Sequence, residues 1–281
     1  MQATQITIYG YGYVGKAVAN FLKDIYSLEI VDPNQMIPTE FKSAKLGEAT
    51  SRHAIICLPT NMNPDGTCDT SIVENVTSQT NHEFYLLKST VPPGTTKRLA
   101  ENTGKKIAMS PEYIGEGKYQ VQWWKNHPHP TDMKLHSFHI FGGVREATKE
   151  WVDIYLPVTG PSVQFVQTDS TTAEFVKYTE NIWGAMKVTW ANEMFEASEK
   201  MGVDWREIRE LWALDGRTEK MHTAIFVNKR GWAGKCFPKD LIAFIKLCQS
   251  KGYQPEMLKE IVKSNARFSA NPDLKALPEK L

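Results

Sequence analysis

The sequence predicts an α/β fold: a doubly wound parallel sheet, followed by an all-helical domain built on one long central helix. Before about residue 168, short β-branched or apolar runs alternate with segments of helical spacing, the pattern of a parallel sheet with helices on its faces. After that point the strand-like runs cease, and a segment of about 30 residues with helical spacing begins near residue 171, well beyond the average helix length. We therefore predict a first domain at 1–168 and a second at 169–281.

The predicted elements follow in order along the chain. Seven runs read as strands, because they are short and rich in β-branched or apolar residues: QITIY, LEIVD, HAIICL, EFYLLK, KIAMS, FHIFGG and VQFV. The intervening VGKAVANFLKDI and TSIVENVTSQT have helical spacing. Loops are expected where Pro, Asn, Asp and Gly cluster, at 61–66, 91–94 and 125–132. Helices of the second domain are expected at DWREIRELWAL, PKDLIAFIKLCQSKG and PEMLKEIVKSNARF, before a frayed tail, NPDLKALPEKL.

Composition narrows the class of partner. The chain has 281 residues, with 33 basic against 32 acidic side chains and a formal charge of +1, so no electrostatic feature indicates nucleic acid or a membrane surface, and a small-molecule partner is expected. The N-terminus shows no signal-peptide pattern, which predicts a cytoplasmic protein. The four cysteines show neither a C-x-x-C pair nor metal-ligand spacing, so we expect no bound metal and no disulfide framework.

A glycine-rich turn joins the first predicted strand to the first helix. GYGYVG contains Gly10, Gly12, Tyr13, Val14 and Gly15, and such a turn lets backbone N–H groups at a helix N-terminus approach a pyrophosphate. Asp32 ends the second strand, 20 residues after Gly12, where a carboxylate can accept hydrogen bonds from the ribose of NAD and repel the 2′-phosphate of NADP. The pattern predicts a Rossmann-like NAD site; the alternative is a structural turn with an unrelated aspartate.

A lone cysteine occurs in GWAGKCFPKD, at 231–240. Pro238 suits the first turn of a helix, which places Cys236 at a helix N-terminus, where the dipole and nearby lysines favour the thiolate. Asp240 follows one helical turn later, and Gly231 and Gly234 leave room for a ligand close to the backbone. The spacing alone is equally compatible with a small buried cysteine beside a helix cap.

Five motifs in order resemble the UDP-glucose dehydrogenase family, NAD-dependent enzymes that oxidise a sugar-nucleotide alcohol twice to a uronate. They are GYGYVG, KSTVPPGTT at 88–96, SPEYIGEG at 110–117, AEFVKYTENIWGAMK at 173–187 and GWAGKCFPKD. The family pattern has a nucleophilic cysteine followed by Phe-Pro-Lys-Asp, which CFPKD matches. The resemblance implies that Cys236 is the nucleophile.

The resemblance also implies roles for residues of the other motifs. Lys177 and Asn181 match the family's lysine and asparagine, whose i, i+4 spacing lets both face one oxyanion. Glu112 resembles the general base, and Glu116 matches a second acid in the substrate site. Without the resemblance, the lysine and asparagine would be interpreted as a solvated face.

Further roles follow in the same way. Thr90 resembles the threonine that holds a water together with the aspartate, here Asp240, and it borders the cofactor as well. Arg217 in DGRTEKMH partly matches an arginine that reaches a neighbouring subunit's substrate. Gly231 and Gly234 would border the sugar nucleotide.

Two departures from the family pattern bear most directly on the predicted function. Family members commonly have Gly-Gly-Ser before the cysteine, whereas this chain has Ala233-Gly234-Lys235, which puts rate and sugar selectivity in doubt. Family members also usually continue into a second α/β domain that helps to grip the uridine, whereas this sequence stops soon after the helix ending near Phe268. The sequence is therefore predicted to be a short form without that domain.

Together the motifs predict NAD-dependent, four-electron oxidation of UDP-glucose to UDP-glucuronate through a thiohemiacetal and a thioester on the cysteine. The alternatives are a GDP-mannose or other nucleotide-sugar dehydrogenase, and a module that only binds a sugar nucleotide or NAD. The long helix bears aromatic and methionine side chains on overlapping faces, as interface cores do. With the family's dimerisation through its central helices, this predicts a homodimer.

Overall fold

A computed structural model describes residues 4–114 and 132–281 of the chain. The described residues form two compact units. The first lies within Met1–Asn61 and Asp69–Lys177, and the second consists of Met62–Cys68 and Tyr178–Leu281. The domain boundary expected after residue 168 stays a prediction. Glu116 and most of the loop expected at 125–132 lie outside the described residues.

The first unit is built on an eight-stranded sheet of order β3-β2-β1-β4-β5-β6-β7-β8. Its strands are β1 (Gln5–Tyr9), β2 (Ser27–Val31), β3 (Lys42–Ser43), β4 (His53–Ile56), β5 (Phe84–Leu87), β6 (Lys106–Met109), β7 (Phe138–Gly143) and β8 (Gln164–Thr168). Neighbouring strands are parallel except for β6 and β7, which pair antiparallel through Ala108–Gly143 and Met109–Gly142. The predicted α/β class is confirmed, with one antiparallel pair in an otherwise parallel ladder.

Four helices cover the two faces of this sheet: α1 (Tyr13–Leu22), α2 (Ser71–Gln79), α3 (Thr95–Thr103) and α4 (Arg145–Thr159). Successive strand residues point to opposite faces, so Ile8 packs in one cluster with α1 and α4, whereas Tyr9 packs in another with α2 and α3. Helices on both faces make the sheet doubly wound. Neither α3 nor α4 was among the helices expected from the sequence.

The long helix predicted near residue 171 is α5 (Ser170–Met201), with 32 residues. Residues 170–177 belong to the first unit and 178–201 to the second. The second unit adds α6 (Trp205–Trp212), α7 (Phe237–Ser250), α8 (Glu256–Phe268) and α9 (Pro272–Lys275). Its core joins side chains of α5, α7 and α8 around Trp232, including Ala185, Ile242 and Val262.

The C-terminal tail was expected to fray, and this expectation is wrong for the described chain. Residues Pro272–Lys275 form α9, and a 3-10 turn follows at Leu277–Lys280. Leu274 and Leu277 are buried in the core of the second unit. Two leucines three residues apart share one face of a helical segment, and their burial holds an otherwise polar tail in place.

A helix that crosses a membrane needs both sufficient length and sufficient hydropathy. Within 4–114 and 132–281, no helix reaches both.

Candidate active site

In the glycine turn between β1 and α1, two of the three glycines lie in close contact with neighbouring backbone. Gly10 has φ +93°, and a Cβ there would lie 2.5 Å from the Cys57 carbonyl oxygen. A Cβ on Gly15 would lie 2.0 Å from the Gly10 carbonyl oxygen. Gly12, which precedes α1, would meet nothing within 4 Å, and no described side chain caps the helix at this residue. The open N-terminus of α1 therefore fits a pyrophosphate.

Asp32 lies directly after β2 and faces this turn. Its Oδ2 accepts a hydrogen bond from the Tyr11 backbone N–H at 2.7 Å, and its Oδ1 accepts one from the Asn34 backbone N–H at 2.8 Å. Each carboxylate oxygen has a second lone pair that can accept from a ribose hydroxyl. The two backbone bonds fix the carboxylate beside the glycine turn.

Glu112 and Lys177 meet within the first unit. The Lys177 Nζ donates to the Glu112 backbone carbonyl at 2.6 Å and lies 3.2 Å from the Glu112 Oε1. Glu112 Oε2 accepts from the Ile114 backbone N–H at 2.8 Å. Both side chains are nearly buried, at 6% and 12% exposure. A buried pair held by further hydrogen bonds keeps an acid and a base in defined positions.

Lys88 is a neighbouring group that sequence analysis did not single out. It ends the buried strand run EFYLLK, and its Nζ donates to the Ser110 Oγ at 3.1 Å and the Pro111 carbonyl at 3.2 Å. Burial lowers the pKa of Lys88 to about 8; Glu112 opposes this shift and Lys177 adds to it. The signal in the sequence that could have indicated this residue is a lysine at the end of an apolar strand run. Lys88 fixes the segment that presents Glu112.

Glu174 was also missed, although it lies one helical turn before Lys177. Its Oε2 accepts from the Gly94 backbone N–H at 2.5 Å, and its Oε1 accepts from the Thr96 backbone N–H at 2.7 Å. Gly94 immediately precedes α3 with φ +97°. The carboxylate thus satisfies N–H groups at the start of α3 and ties α5 to the loop that follows Thr90.

The buried carboxyl of Glu174 is expected to make stability depend on pH. Burial raises its pKa from 4.5 to about 7, against the lowering effect of its hydrogen bonds to Thr96 and Gly94. A folded-state pKa above the unfolded one gives a contribution that is present below pH 4.5 and lost as pH rises through about 7. Between pH 4.5 and 8, this contribution should fall by about 3 kcal/mol.

Urea unfolding of the wild type and of Glu174→Gln at several pH values tests this. The difference in free energy of unfolding between the two proteins should shrink with rising pH, because only the wild type titrates at this position. At pH 5 the variant should be less stable by about 1–3 kcal/mol, since its amide NH₂ faces a backbone N–H. A difference that stays constant from pH 4.5 to 8 would refute the assignment.

Cys236 lies at the start of α7 in the second unit. It is the N-cap residue, the helix begins at Phe237, and Pro238 occupies the first turn, as predicted. The thiol is half-buried. The Asp240 backbone N–H donates to the Cys236 carbonyl at 2.9 Å, so the first helical turn connects these two residues. A thiol in this position experiences the positive end of the helix dipole.

Asp240 is almost completely buried, at 1% exposure. Its Oδ2 accepts from the Asn181 Nδ2 at 2.6 Å, and its Oδ1 contacts the Lys239 Nζ. Asn181, on α5, is itself buried. The second unit thus brings together Asn181 and Asp240, two of the predicted residues, one turn after the cysteine.

The remaining predicted residues are less closely connected. Gly231 and Gly234 have φ +76° and +89° and flank Trp232 in the loop before the cysteine. Arg217 is exposed, and its guanidinium pairs with Asp215 at 2.5 Å. Thr90 follows β5 in the first unit, where its backbone carbonyl accepts from the Thr60 Oγ1 at 2.7 Å. The functional roles of all these residues stay predictions, as does that of Glu116.

Within 4–114 and 132–281, no three His, Cys, Asp or Glu side chains are grouped so that they could hold an ion.

Comparison with known proteins relates the second half of the chain to a family domain and most of the chain to individual enzymes. A model described as the UDP-glucose/GDP-mannose dehydrogenase family, central domain, matches residues 171–267, the region of α5 to α8. UDP-glucose 6-dehydrogenase AglM of Haloferax volcanii is 28% identical over 93% of this chain. Residues 171–267 thus match one domain of the UDP-glucose/GDP-mannose dehydrogenase family.

Two further similar proteins are named for different nucleotide sugars. GDP-mannose 6-dehydrogenase of Azotobacter vinelandii is 26% identical over 93% of the chain. The structure of a UDP-glucose dehydrogenase from the hyperthermophilic archaeon Pyrobaculum islandicum superposes with a TM-score of 0.76 and 25% identity, covering 95% of this chain. The chain spans 69%, 68% and 68% of the Haloferax, Azotobacter and Pyrobaculum proteins, respectively.

Proposed function

We propose that this chain oxidises the primary alcohol of UDP-glucose to the carboxylate of UDP-glucuronate, with NAD as oxidant. The observation that supports it best is the arrangement at the start of α7. There the Cys236 thiol precedes by one turn a buried Asp240 carboxylate that accepts a hydrogen bond from Asn181 at 2.6 Å. A nucleophile followed by a fixed carboxylate suits formation and hydrolysis of a covalent acyl intermediate.

The chemistry requires a group that captures the aldehyde formed in the first oxidation. The Cys236 thiolate adds to the aldehyde carbon and forms a carbon–sulfur bond, which gives a thiohemiacetal. Oxidation of that carbon leaves a thioester on the sulfur. Water then adds to the thioester, the carbon–sulfur bond breaks, and the carboxylate leaves with the thiolate restored. In sum, one alcohol and one water give one carboxylate, two hydrides and three protons.

The remaining polar groups supply acid–base and electrostatic assistance. Glu112 accepts the proton of the alcohol and returns one to solvent, and its contact with Lys177 holds it in place. Lys177 and Asn181 lie one turn apart on α5 and stabilise the oxyanions of the addition steps. Asp240 orients the hydrolytic water, and Thr90 is proposed to share that role.

NAD is proposed to bind at the glycine turn. Gly10, Gly12 and Gly15 with the N-terminus of α1 would hold its pyrophosphate, Asp32 its ribose, and Tyr13 and Val14 begin the helix at that point. When bound, NAD would supply the hydride acceptor for both oxidations of the sugar carbon. Thr90 is proposed to border the same site.

Neutralising Asp32 is expected to weaken the preference for NAD over NADP. Asp32→Asn keeps an acceptor for the Tyr11 N–H but removes the charge that repels a 2′-phosphate. The ratio of kcat/KM for NAD to that for NADP should therefore fall by about tenfold, equivalent to ~1.4 kcal/mol. Asp32→Ala, which loses the acceptor as well, should also weaken NAD itself. A wild type that used both cofactors equally would contradict the role of Asp32.

Two alternatives remain. A GDP-mannose 6-dehydrogenase is among the relatives, and the same thioester chemistry would serve GDP-mannose. Parallel assays with UDP-glucose and GDP-mannose distinguish these substrates. A module that only binds NAD or a sugar nucleotide is disfavoured, because binding does not require the thiol, lysine, asparagine and buried aspartate together.

The direct test is to count NADH formed per sugar consumed. Purified protein incubated with NAD and limiting UDP-glucose should yield two NADH and one uronate per sugar. One NADH per sugar with aldehyde as product would contradict the thioester route, and no NADH from any nucleotide sugar would contradict the enzyme assignment.

We also propose a cytoplasmic homodimer formed through α5. In support, α5 exposes several large apolar side chains at 38–50%: Phe175, Trp183, Trp190 and Met194. Aromatic and methionine side chains are enriched in interface cores, and Arg217 is proposed to reach the partner's substrate. Sedimentation should give a dimer, and a fully active monomer would contradict the shared role of Arg217.

A further inference from the structure

The loop that precedes the nucleophile is held by a buried side chain from α8. Asn265, with 0% exposure, accepts from the Trp232 backbone N–H on its Oδ1 at 2.7 Å and donates from its Nδ2 to the Trp232 carbonyl at 3.1 Å. One amide thus satisfies both backbone groups of a loop residue that has no helix or strand partner for them.

Further contacts hold Gly231 and Trp232 against α8 and α5. A Cβ on Gly231 would lie 2.6 Å from the Asn265 Oδ1, and Gly231 has φ +76°, so glycine lets the loop approach the amide. The Trp232 indole N–H donates to the Thr189 Oγ1 on α5 at 2.8 Å, and its ring is 2% exposed. Trp232 is therefore fixed through both its backbone and its side chain.

The other end of the short segment is fixed as well. A Cβ on Gly184 of α5 would lie 2.6 Å from the Phe237 ring, so this ring packs directly over the α5 backbone at the residue after the cysteine. Between these anchors, Ala233, Gly234 and Lys235 are exposed. The location of Cys236 in the second unit is thus determined by an anchor on each side, four residues before it and one after it.

We propose that Asn265 is a positioning residue for Cys236: its clamp on Trp232 holds the thiol where it can capture the aldehyde before the aldehyde escapes. The proposal rests on the proposed function for the reaction, but the clamp itself is independent of any ligand. Since small displacements of a reacting group greatly reduce the rate of a step, loosening the loop should impair the thiol-dependent second oxidation more than the first.

The experiment compares three variants of the full chain. Asn265→Leu removes both hydrogen bonds with little change in size. Asn265→Asp keeps an acceptor for the Trp232 N–H but loses the donor to its carbonyl. Val262→Ala, at a buried position three residues earlier on α8, lowers stability by a cavity and leaves the clamp intact.

One measurement uses no substrate. Iodoacetamide alkylation of each cysteine is followed by peptide mass spectrometry, with Cys248 as internal reference because it lies near the other end of the same helix, α7. The ratio of the Cys236 rate to the Cys248 rate should rise about tenfold in Asn265→Leu, as expected for losing two hydrogen bonds. It should rise less in Asn265→Asp and stay unchanged in Val262→Ala.

A second measurement uses the reaction. With NAD and UDP-glucose, NADH per sugar consumed should fall from two towards one in Asn265→Leu, with aldehyde trapped by semicarbazide, and should stay at two in Val262→Ala. An unchanged or lower alkylation ratio in both Asn265 variants overturns the proposal, as does an equal rise in Val262→Ala. If the wild type itself forms no NADH, the proposed function fails, and the alkylation ratios alone decide whether Asn265 controls the thiol.

Discussion

Replacing Cys236 with alanine is expected to lower uronate formation by roughly 10³-fold or more, the scale seen when a covalent nucleophile is removed. The affinity for NAD should stay nearly unchanged, because the glycine turn and Asp32 belong to the first unit and the cysteine belongs to the second. Uronate appearance and NAD binding by titration calorimetry measure the two effects separately.

The matched control is Cys248→Ala, on the same helix as Cys236. The Cys248 side chain packs partly buried against the small cluster around Tyr178 and Phe244, so its loss should lower stability modestly and leave the uronate yield per folded protein unchanged. A normal uronate yield from Cys236→Ala would eliminate the thioester route. Equal losses in both variants would point to destabilisation of α7 rather than loss of a nucleophile.

The second large effect is expected at the glycine turn. Alanine substitution of Gly15 should lower stability, whereas alanine substitution of Gly12 should lower NAD affinity. A Cβ on Gly15 would lie 2.0 Å from the Gly10 carbonyl oxygen, which is a backbone atom and not the end of a flexible side chain. Gly15→Ala should therefore destabilise the first unit by several kcal/mol, at or above the upper range for overpacked cores. Thermal unfolding and soluble yield measure this.

Gly12 is different because a Cβ there would meet nothing within 4 Å and its φ is −75°. Gly12→Ala should keep the melting temperature close to the wild-type value, while NAD affinity falls because the methyl group occupies the space proposed for the pyrophosphate. Unchanged NAD affinity in a folded Gly12→Ala protein would contradict the proposed cofactor position. A stable Gly15→Ala would contradict the packing of the turn.

Much of the secondary structure of the first unit could be predicted from local sequence patterns. The predicted strand runs all correspond to strands, because apolar runs bounded by turn residues are a local signal. The helices α3 and α4 were missed for physical reasons. The segment of α3, TTKRLAENT, is largely polar, and its first turn depends on the carboxylate of Glu174, almost 80 residues later. Helix α4 is amphipathic but has Pro157 in its last turn.

The candidate site likewise contains residues that local spacing predicts and partners that it does not. Local spacing placed Cys236 at a helix N-terminus and Asp240 one turn later, and the structure has both there. The partners of these residues were harder to predict from spacing. Lys88 and Asn265 act through hydrogen bonds to segments 22 or more residues away, and a lone lysine or asparagine in a sequence does not reveal whether it will be buried.

By itself, the sequence determined the alternation of strands and helices, the glycine turn with Asp32, the long α5 and the helix start at Cys236, because each depends on neighbours within a few turns of the chain. Only the tertiary structure decided which polar groups became buried and what satisfied them. The contacts of Glu112 with Lys177, Glu174 with Gly94, and Asn265 with Trp232 form because a buried polar group must find a partner wherever the fold brings one within reach. Such partners lie far apart in the sequence, so packing and not sequence spacing determines which polar groups pair.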